Sequence, residues 1–482
     1  MSILRTTLTG GLALALAAIG TAQASNVPGW SRGQTEAVSV AADGSYAPTG
    51  VADQIDVSAD GRYVVFLSQD PSLAKQQASC GAAAVCESVY VRDLKRRTTT
   101  LVASRTAEWP TVTGHHTTWF TGISPDGRYV AFSAFGVNGA TTPAAALPEG
   151  APAAFNLYVV DRRTGAVQLA SRNNAGVPAQ PDPATNGNTV GSPLLSGSFG
   201  AAFSRDGRYL TFTSDASNLG GEITSTHVYN VYRRDMATGR TDLVSVDGVG
   251  APLRANAYAY TGHSISGDGT LVAFDVAVRR DTCGCDIREV YVWSSLTRRS
   301  IRVSAPVGLP LGSDGASISL DGSHLAFFSD DALVSGDKNN STDVYEYDVK
   351  RHRLALVSFG ANGKQAQWPS RDNYDVGIYW SVTLSHDGRF VAFDTRANLG
   401  GPSATDGGSP LRSYIRDTVR GTTRLVSVWS NGAAIAGDNG MPRLSADGRT
   451  VAFMTTAAPG TVPAADPATA PRYEVLARHA GG

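Results

Sequence analysis

The sequence predicts an all-β fold, a seven-bladed β-propeller of four-stranded antiparallel blades. Three observations predict it. An Asp-Gly phrase recurs seven times, a strand centred on tyrosine follows each phrase, and a strand ending in a Leu-Val-Ser-like triplet follows six of them. Such self-similarity is the sequence signature of repeat architectures. A counterpart of the missing seventh triplet lies near the N-terminus, which predicts a closed ring.

The Asp-Gly phrase has one context throughout, with Ser two residues before the Asp and Phe five residues after the Gly. The pairs begin at Asp60, Asp126, Asp206, Asp268, Asp321, Asp387 and Asp447. Asp-Gly between apolar runs is a two-residue hairpin signal, because Gly tolerates positive φ and Asp can bond the turn backbone. The strand that follows is apolar on both faces, so we expect it to be buried between neighbouring sheets.

The second phrase supplies the outer strands and the closure. Its tyrosines are Tyr90, Tyr158, Tyr232, Tyr291, Tyr345, Tyr414 and Tyr473. The last unit ends after its tyrosine strand, and residues 35–40 carry the phrase that it lacks. We expect residues 35–40 to form the outer strand of blade seven, which would hide two sheet edges. The alternatives are a separate N-terminal strand or an open array, but an open array needs capping units and the sequence shows none.

The predicted organisation is a signal peptide over residues 1–24 and a single propeller domain over residues 25–482. Arg5, an apolar run at 11–19 and Ala-Gln-Ala at 22–24 form the signal-peptide pattern. A membrane anchor is the weaker alternative, since a spanning helix needs roughly 20 apolar residues. We expect an exported monomer, periplasmic or extracellular and not inserted in a membrane. The expected blades are 51–104, 117–171, 198–245, 261–304, 315–358, 380–427 and 441–478.

Two of the repeats carry a family resemblance. Ser-Pro-Asp-Gly-Arg-Tyr-Val-Ala-Phe-Ser at 124–133 and Ser-Ala-Asp-Gly-Arg-Tyr-Val-Val-Phe-Leu at 58–67 resemble the WD40-like repeats of TolB-type propellers. The resemblance covers nearly all of the mature chain and implies the fold. It implies no single activity, because similar repeats occur in TolB, in propeller domains of prolyl oligopeptidase-like enzymes and in oligogalacturonate lyase-like proteins. The seven units also depart from the six of TolB.

Loop lengths predict where a ligand binds. The Asp-Gly turns and the turns after the tyrosine strands are short and share one face of the disc. The opposite face, which we name the long-loop face, carries long connections at 134–155, 172–197, 359–379 and 400–412. Binding concentrates on loops held by a rigid scaffold. The alternative is that these loops are tolerated insertions, since lengthening a surface loop costs little.

Tryptophans are the candidate ligand-binding residues on the long-loop face. Trp119 and Trp380 lie five residues before the repeat Ser, at the mouth end of the innermost strand, and Phe199 matches them in blade three. Trp109 and Trp368 lie in blade crossings. A carbohydrate or peptide could stack on these rings. The alternative is packing between blades, since Trp is largely buried on average.

The four cysteines form two local pairs. Cys80 and Cys86 bracket a loop of blade one, and Cys283 and Cys285 lie in the equivalent loop of blade four. An exported chain with an even cysteine count favours disulfides. We expect Cys80–Cys86 as a loop staple and Cys283–Cys285 as a tight, more reducible bond.

The single metal candidate is an acidic loop. Asp337, Asn339, Ser341 and Asp343 alternate oxygen donors, as calcium prefers, but the loop lacks the Gly and Glu of an EF-hand. The alternative is a solvated turn with Asx bonding. Otherwise we expect no cofactor.

The sequence predicts a non-catalytic binding or scaffold propeller that recognises a protein, peptide or glycan through its long-loop face. The alternative is a polysaccharide lyase or hydrolase that uses His115, His116 and His263, which map to that side. Hydrolase elbows, zinc-protease motifs and phosphate-binding loops are absent from the sequence. A formal charge of −1 gives no basic footprint for nucleic acid.

Overall fold

A computed structural model describes residues 29–41, 51–74, 88–105, 118–135, 140–141, 155–180, 197–220, 228–259, 263–280, 286–304, 312–339, 341–365, 381–402, 410–456 and 474–481. These residues form seven antiparallel sheets, and the innermost strands of neighbouring sheets lie against each other around an axis. The fold is the predicted seven-bladed propeller. Within the described chain, no helix has the length and apolar character needed to cross a membrane.

Each blade uses four strands that run from the axis outward. Blade one has β2 (Val51–Val57), β3 (Tyr63–Ser68), β4 (Ser88–Asp93) and β5 (Thr98–Arg105), with β8 (Ala140–Thr141) added outside. Blade two has β6 (Thr118–Ile123), β7 (Tyr129–Phe135), β9 (Phe155–Asp161) and β10 (Val167–Leu169). Blade three has β11 (Ser198–Phe203), β12 (Tyr209–Ser214), β13 (Asn230–Asp235) and β14 (Thr241–Leu243). Blade four has β15 (Ala257–Tyr258), β16 (Leu271–Arg280), β17 (Asp286–Ser294) and β18 (Arg299–Arg302).

The remaining blades repeat this order. Blade five has β19 (Ser313–Ile318), β20 (His324–Ser329), β21 (Asp343–Asp348) and β22 (Arg353–Leu356). Blade six has β23 (Val382–Leu384), β24 (Phe390–Thr395), β25 (Arg412–Asp417) and β26 (Thr422–Leu425). Blade seven has β27 (Asn439–Leu444), β28 (Thr450–Thr455), β29 (Glu474–Gly481) and β1 (Gly29–Ala37). A short 3-10 helix, Pro71–Leu73, lies in blade one.

The N-terminal strand closes the ring, as predicted. β1 pairs antiparallel with β29, and Thr35 lies opposite Arg478. The strand begins six residues before the expected residue 35. The predicted tyrosine strand of this blade is wrong in register: Leu476, and not Tyr473, lies opposite Phe453. Tyr473 falls outside the described residues.

The cores of the other six blades share one aromatic pair. The repeat Phe of the second strand lies opposite the Tyr of the third strand, and their rings stack with centroids 5.5 to 6.3 Å apart. Each such Phe is fully buried. This explains why both residues recur, since stacked aromatic rings contribute about 0.5–1.5 kcal/mol beyond the burial of their area.

The Asp-Gly turn is not the predicted two-residue hairpin. In blade one, Ser58 N donates to Tyr63 O across a four-residue loop. Gly61 has φ +68°, but Asp60 does not have positive φ, so the turn is not type I′. Ser58 Oγ donates to Asp60 Oδ1 at 2.7 Å and accepts from Tyr63 N at 2.9 Å. The recurring Ser is therefore part of the turn.

These turns form the narrow end of the central channel. Their second residues bond from one turn to the next: Ala59 N to Pro125 O, Arg205 N to Gly267 O, Gly267 N to Leu320 O and His386 N to Ala446 O. Arg205 Nη2 also lies 3.2 Å from His386 Nδ1, which joins blades three and six across the axis. We name this layer the floor.

A second recurring element joins neighbouring blades at the rim. After the outer strand, a short hairpin, which we name an arm, packs on the next blade. The bridges that define the arms are Arg172–Pro178, Val246–Pro252, Phe359–Gln365 and Val428–Ala434. In blade three, Arg234 Nη1 and Thr241 Oγ1 both donate to Arg172 O of the preceding arm, at 2.9 and 2.7 Å. In blade seven, Arg478 and Thr35 bind Val428 O in the same way.

Candidate binding site at the channel mouth

One position of the innermost strand lies at the end of the channel opposite the floor. There the residue pairs with the one that follows the repeat Phe. We name it the mouth position, and its members include Trp119, Phe199, Tyr258, Asp314 and Gly440. The prediction that Trp119 and Phe199 share a repeat position is confirmed. The side chain of Trp119 is outside the described part of the structure, as are Trp109, Trp368 and Trp380.

Local backbone geometry directs the mouth side chains. The ladder shifts register immediately after Phe199 and after Asp314. The next residues, Gly200 and Gly315, both have φ +72°, a conformation that favours glycine. Such β-bulges re-aim the adjacent side chain and are common beside functional sites.

Hydrogen bonds between blades fix this geometry. Asp275, the residue after the repeat Phe of blade four, accepts from Gly315 N at 2.9 Å. Asp394 does the same for Met441 N of blade seven at 2.8 Å, and Thr213 Oγ1 accepts from Ala259 N at 3.0 Å. The second strand of one blade thus holds the mouth backbone of the next blade.

Aromatic rings line the mouth over blades three and four. Phe199 meets Tyr229 edge-on with centroids 5.4 Å apart, and Tyr229 lies 5.7 Å from Tyr258. The guanidinium of Arg288 lies 4.7 Å above the Tyr258 ring, within cation–π distance. Tyr229 is buried, whereas Phe199, Tyr258 and Arg288 are partly exposed.

Two carboxylates adjoin these rings. Asp275 is fully buried, and burial, followed by the charge of Asp314, raises its pKa to about 8. Its Oδ1 has no hydrogen-bond partner among the described residues. Asp314 is accessible to water but enclosed by the channel, so burial raises its pKa, while Arg288 opposes that shift. We name Phe199, Tyr229, Tyr258, Asp275, Arg288 and Asp314 the mouth sector.

A second polar layer lies deeper in the channel. Arg443 is buried, donates to Ile55 O at 3.1 Å and bonds Ser381 Oγ. Burial raises the pKa of Asp56 and of Asp394 to about 6 each. These groups join blades one, six and seven around the axis.

His263 lies between the mouth residue Tyr258 and the repeat turn of blade four. Burial, followed by the charge of Arg443, lowers the pKa of His263 to about 4, so the imidazole is neutral at neutral pH. His115 and His116 lie outside the described residues. The predicted convergence of the three histidines therefore stays a prediction.

The predicted acidic loop is anchored internally. Asp337 accepts from the Tyr345 hydroxyl, and Asp343 accepts from Ser358 Oγ. Asn339 Oδ1 accepts from Ser341 N at 3.3 Å. Burial raises the pKa of Asp343 to about 6. Both carboxylates are buried, so the alternative of a solvated turn is wrong, while calcium binding stays a prediction.

No group of three or more His, Cys, Asp or Glu side chains is arranged as a metal site within the described ranges. Cys80, Cys86, Cys283 and Cys285 lie outside those ranges. Their pairing therefore stays a prediction.

Comparisons with known proteins support the fold and nothing finer. The chain matches no protein-family model and no curated protein. An oligogalacturonate lyase in complex with manganese is 13% identical over 94% of this chain and 97% of its own, with a TM-score of 0.48. An oligogalacturonate lyase from Vibrio parahaemolyticus is 13% identical over 93% and 96%, with a TM-score of 0.49. TolB from Acinetobacter baumannii is 16% identical over 87% and 81%, with a TM-score of 0.36. The chain is thus a seven-bladed propeller similar in fold to these proteins at low sequence identity.

Proposed function

We propose that this protein is an exported binding propeller that recognises a protein, peptide or glycan through the mouth sector. One observation carries the proposal. Partly exposed Phe199 and Tyr258 lie beside a guanidinium and two carboxylates at the open end of the channel. Binding sites combine apolar and aromatic walls with a few convergent polar groups, and the mouth sector has that composition.

Each part of the sector has a distinct role in this proposal. Phe199 and Tyr258 offer faces or edges for a sugar ring or an apolar side chain. Asp314 and Asp275 Oδ1 accept hydrogen bonds from hydroxyl, amide or ammonium donors. Arg288 orients Tyr258 by stacking on it and limits charge repulsion between the carboxylates. The bulges at Gly200 and Gly315 hold this arrangement before a ligand arrives, which lowers the ordering cost of binding.

The state of His263 supports binding over histidine-based catalysis as the proposal. A general base works best when its pKa lies near the operating pH. The pKa of His263 is about 4, so at neutral pH it is a weak base.

The test begins with the mature protein screened on a glycan array and a peptide array. The best ligand is then titrated by calorimetry against Tyr258→Ala and Asp314→Asn. Leu296→Ala is the control, because Leu296 is 84% exposed in a turn on the opposite face. We expect each mouth variant to bind at least tenfold more weakly, about 1.4 kcal/mol, and the control to bind normally. Full affinity in both mouth variants would refute the placement.

A further inference from the structure

A groove of about 810 Å³ lies at the rim between blades three and four, away from the mouth sector. Its walls come from two arms, the outer strand of blade three and one turn of blade four. The lining residues are Asn174, Thr238, Gly239, Arg240, Thr241, Asp242, Leu243, Val246, Gly250, Pro252 and Arg298. We name it the rim groove.

Positive charge is in excess at the rim groove. Asp242 binds three arginines: Arg233 at 2.9 Å, Arg240 at 2.9 Å and Arg298 at 2.6 Å. In the described part of the chain, no other carboxylate lies within ion-pair distance of these three guanidinium groups. Since arginine stays charged in proteins, two positive charges remain uncompensated.

The three arginines differ in access. Arg233 is largely buried, because its guanidinium lies 4.6 Å from the Tyr209 ring and 5.0 Å from the Trp293 ring. Arg240 and Arg298 are more than half exposed, at 56% and 59%. Their remaining N–H groups can therefore meet a ligand in the groove, while Arg233 holds Asp242 in place.

Asp242 keeps its charge in this setting. Burial alone would raise its pKa, but hydrogen bonds from Arg233 and Arg240 hold the pKa below its ordinary value. The carboxylate thus orients both exposed arginines without cancelling them. Fixed, oriented guanidinium groups are suited to binding carboxylate or phosphate, because their planar donors match two acceptor oxygens.

The backbone of Arg298 adds an independent observation. Arg298 has φ +56°, which is unfavourable for a residue with a side chain. The same position of the turn is glycine in three other blades: Gly165, Gly239 and Gly421. Strained residues of this kind cluster at functional sites. The strain places the Arg298 guanidinium on the carboxylate at the groove wall.

We propose that the rim groove is a second binding site, which takes an oxyanion between Arg240 and Arg298. The ligand class is a carboxylate, sulfate or phosphate group, free or borne by a larger molecule. The three arginines and Asp242 define the site, and it functions independently of the mouth sector.

The experiment titrates inorganic sulfate, inorganic phosphate and citrate into the full-length mature protein by calorimetry at low ionic strength. The key variant is Arg298→Gly, which removes the guanidinium and also relieves the positive φ, so the fold should be retained. The matched control is Arg97→Gly, because Arg97 has φ +55° at the same turn position of blade one and is 78% exposed. Arg240→Gln is a second test variant.

We expect saturable binding of at least one anion, weakened at least tenfold by Arg298→Gly and by Arg240→Gln and unchanged by Arg97→Gly. The anion that binds best identifies the oxyanion chemistry of the ligand. Absence of saturable binding for all three anions, or equal binding by Arg298→Gly and the unsubstituted protein, would overturn the proposal.

Discussion

Replacing Arg478 by leucine should weaken the closure of the ring. Arg478 is 1% exposed, and its guanidinium joins the last strand to the first. It donates to Trp30 O and Thr35 Oγ1, both at 2.9 Å, and to Val428 O at 3.2 Å. The side chain therefore ties both ends of the chain to the arm of blade six.

The magnitude follows from the acceptors left behind. Val428 O keeps a donor, Thr35 Oγ1, in the Arg478→Leu variant, but Trp30 O loses the hydrogen bond from Arg478. An unsatisfied buried carbonyl costs about 1–3 kcal/mol, and each lost bond to a charged donor costs about 1.5–3 kcal/mol. Part of this is offset because the guanidinium is no longer desolvated. We expect a loss of about 3 kcal/mol in the free energy of unfolding.

The matched control is Arg416→Leu. Arg416 occupies the same position in blade six and donates to Thr423 Oγ1 at 2.8 Å and to Phe359 O at 3.4 Å. It makes fewer bonds, so we expect about half the cost. Equilibrium urea unfolding, followed by tryptophan fluorescence, measures both variants. A cost below about 1 kcal/mol for Arg478→Leu, or equal costs for the two variants, would refute the reasoning.

Three further predictions concern the blades. Asp275→Asn should flatten the pH dependence of stability. The raised pKa of Asp275, about 8, means that stability is lost as pH rises from about 4, and urea unfolding at pH 5 and 8 measures the difference. For Asp235, whose pKa is lowered to about 2 by its hydrogen bond from an arginine, stability is instead lost as pH falls below about 4; Asp235→Asn should remove that slope in acid unfolding curves, and an unchanged slope would contradict it. Gly207→Ala should destabilise far more than Gly176→Ala: both have positive φ, but a Cβ at Gly207 would lie 2.4 Å from the Tyr129 ring, whereas Gly176 has open space, and equal melting temperatures would refute this.

The fold could be predicted because each blade repeats residues with the same physical duty. Ser58 and Asp60 build the turn, and Phe66 and Tyr90 build the core, so the pattern survives sequence divergence. Blade seven shows the limit. Tyr473 was the nearest tyrosine to the expected position, but strand register decides the pairing, and Leu476 is the residue that faces the repeat Phe.

The mouth sector could be predicted only in part. Phe199 was found by counting back from the repeat Ser, but the same count in blade four reaches Thr261. The mouth residue there is Tyr258, eight residues before its Ser, because this innermost strand is longer. Arg288 and Asp314 come from different blades, so their proximity to Asp275 follows from the ring geometry and has no signal in local sequence.

The charges of the rim groove illustrate a different limit. The turn position of Arg298 was recognisable as a short turn, but its positive φ depends on the hairpin geometry. Its partner Asp242 lies 56 residues earlier in the chain, in another blade. A recurring turn position that is glycine in three blades and arginine in two is a signal that could have been found by aligning the repeats.

The floor makes the channel a blind cup. The turns bond to each other around the axis, and Arg205 and His386 meet across it, so the cup has one entrance. A polymer could not thread through such a molecule; it could insert only a free end, a branch or a protruding side chain. Any ligand that reaches the depth of the cup must also leave by the way it came, past the mouth sector. The molecule is therefore built to examine the tips of its ligands and not their middles.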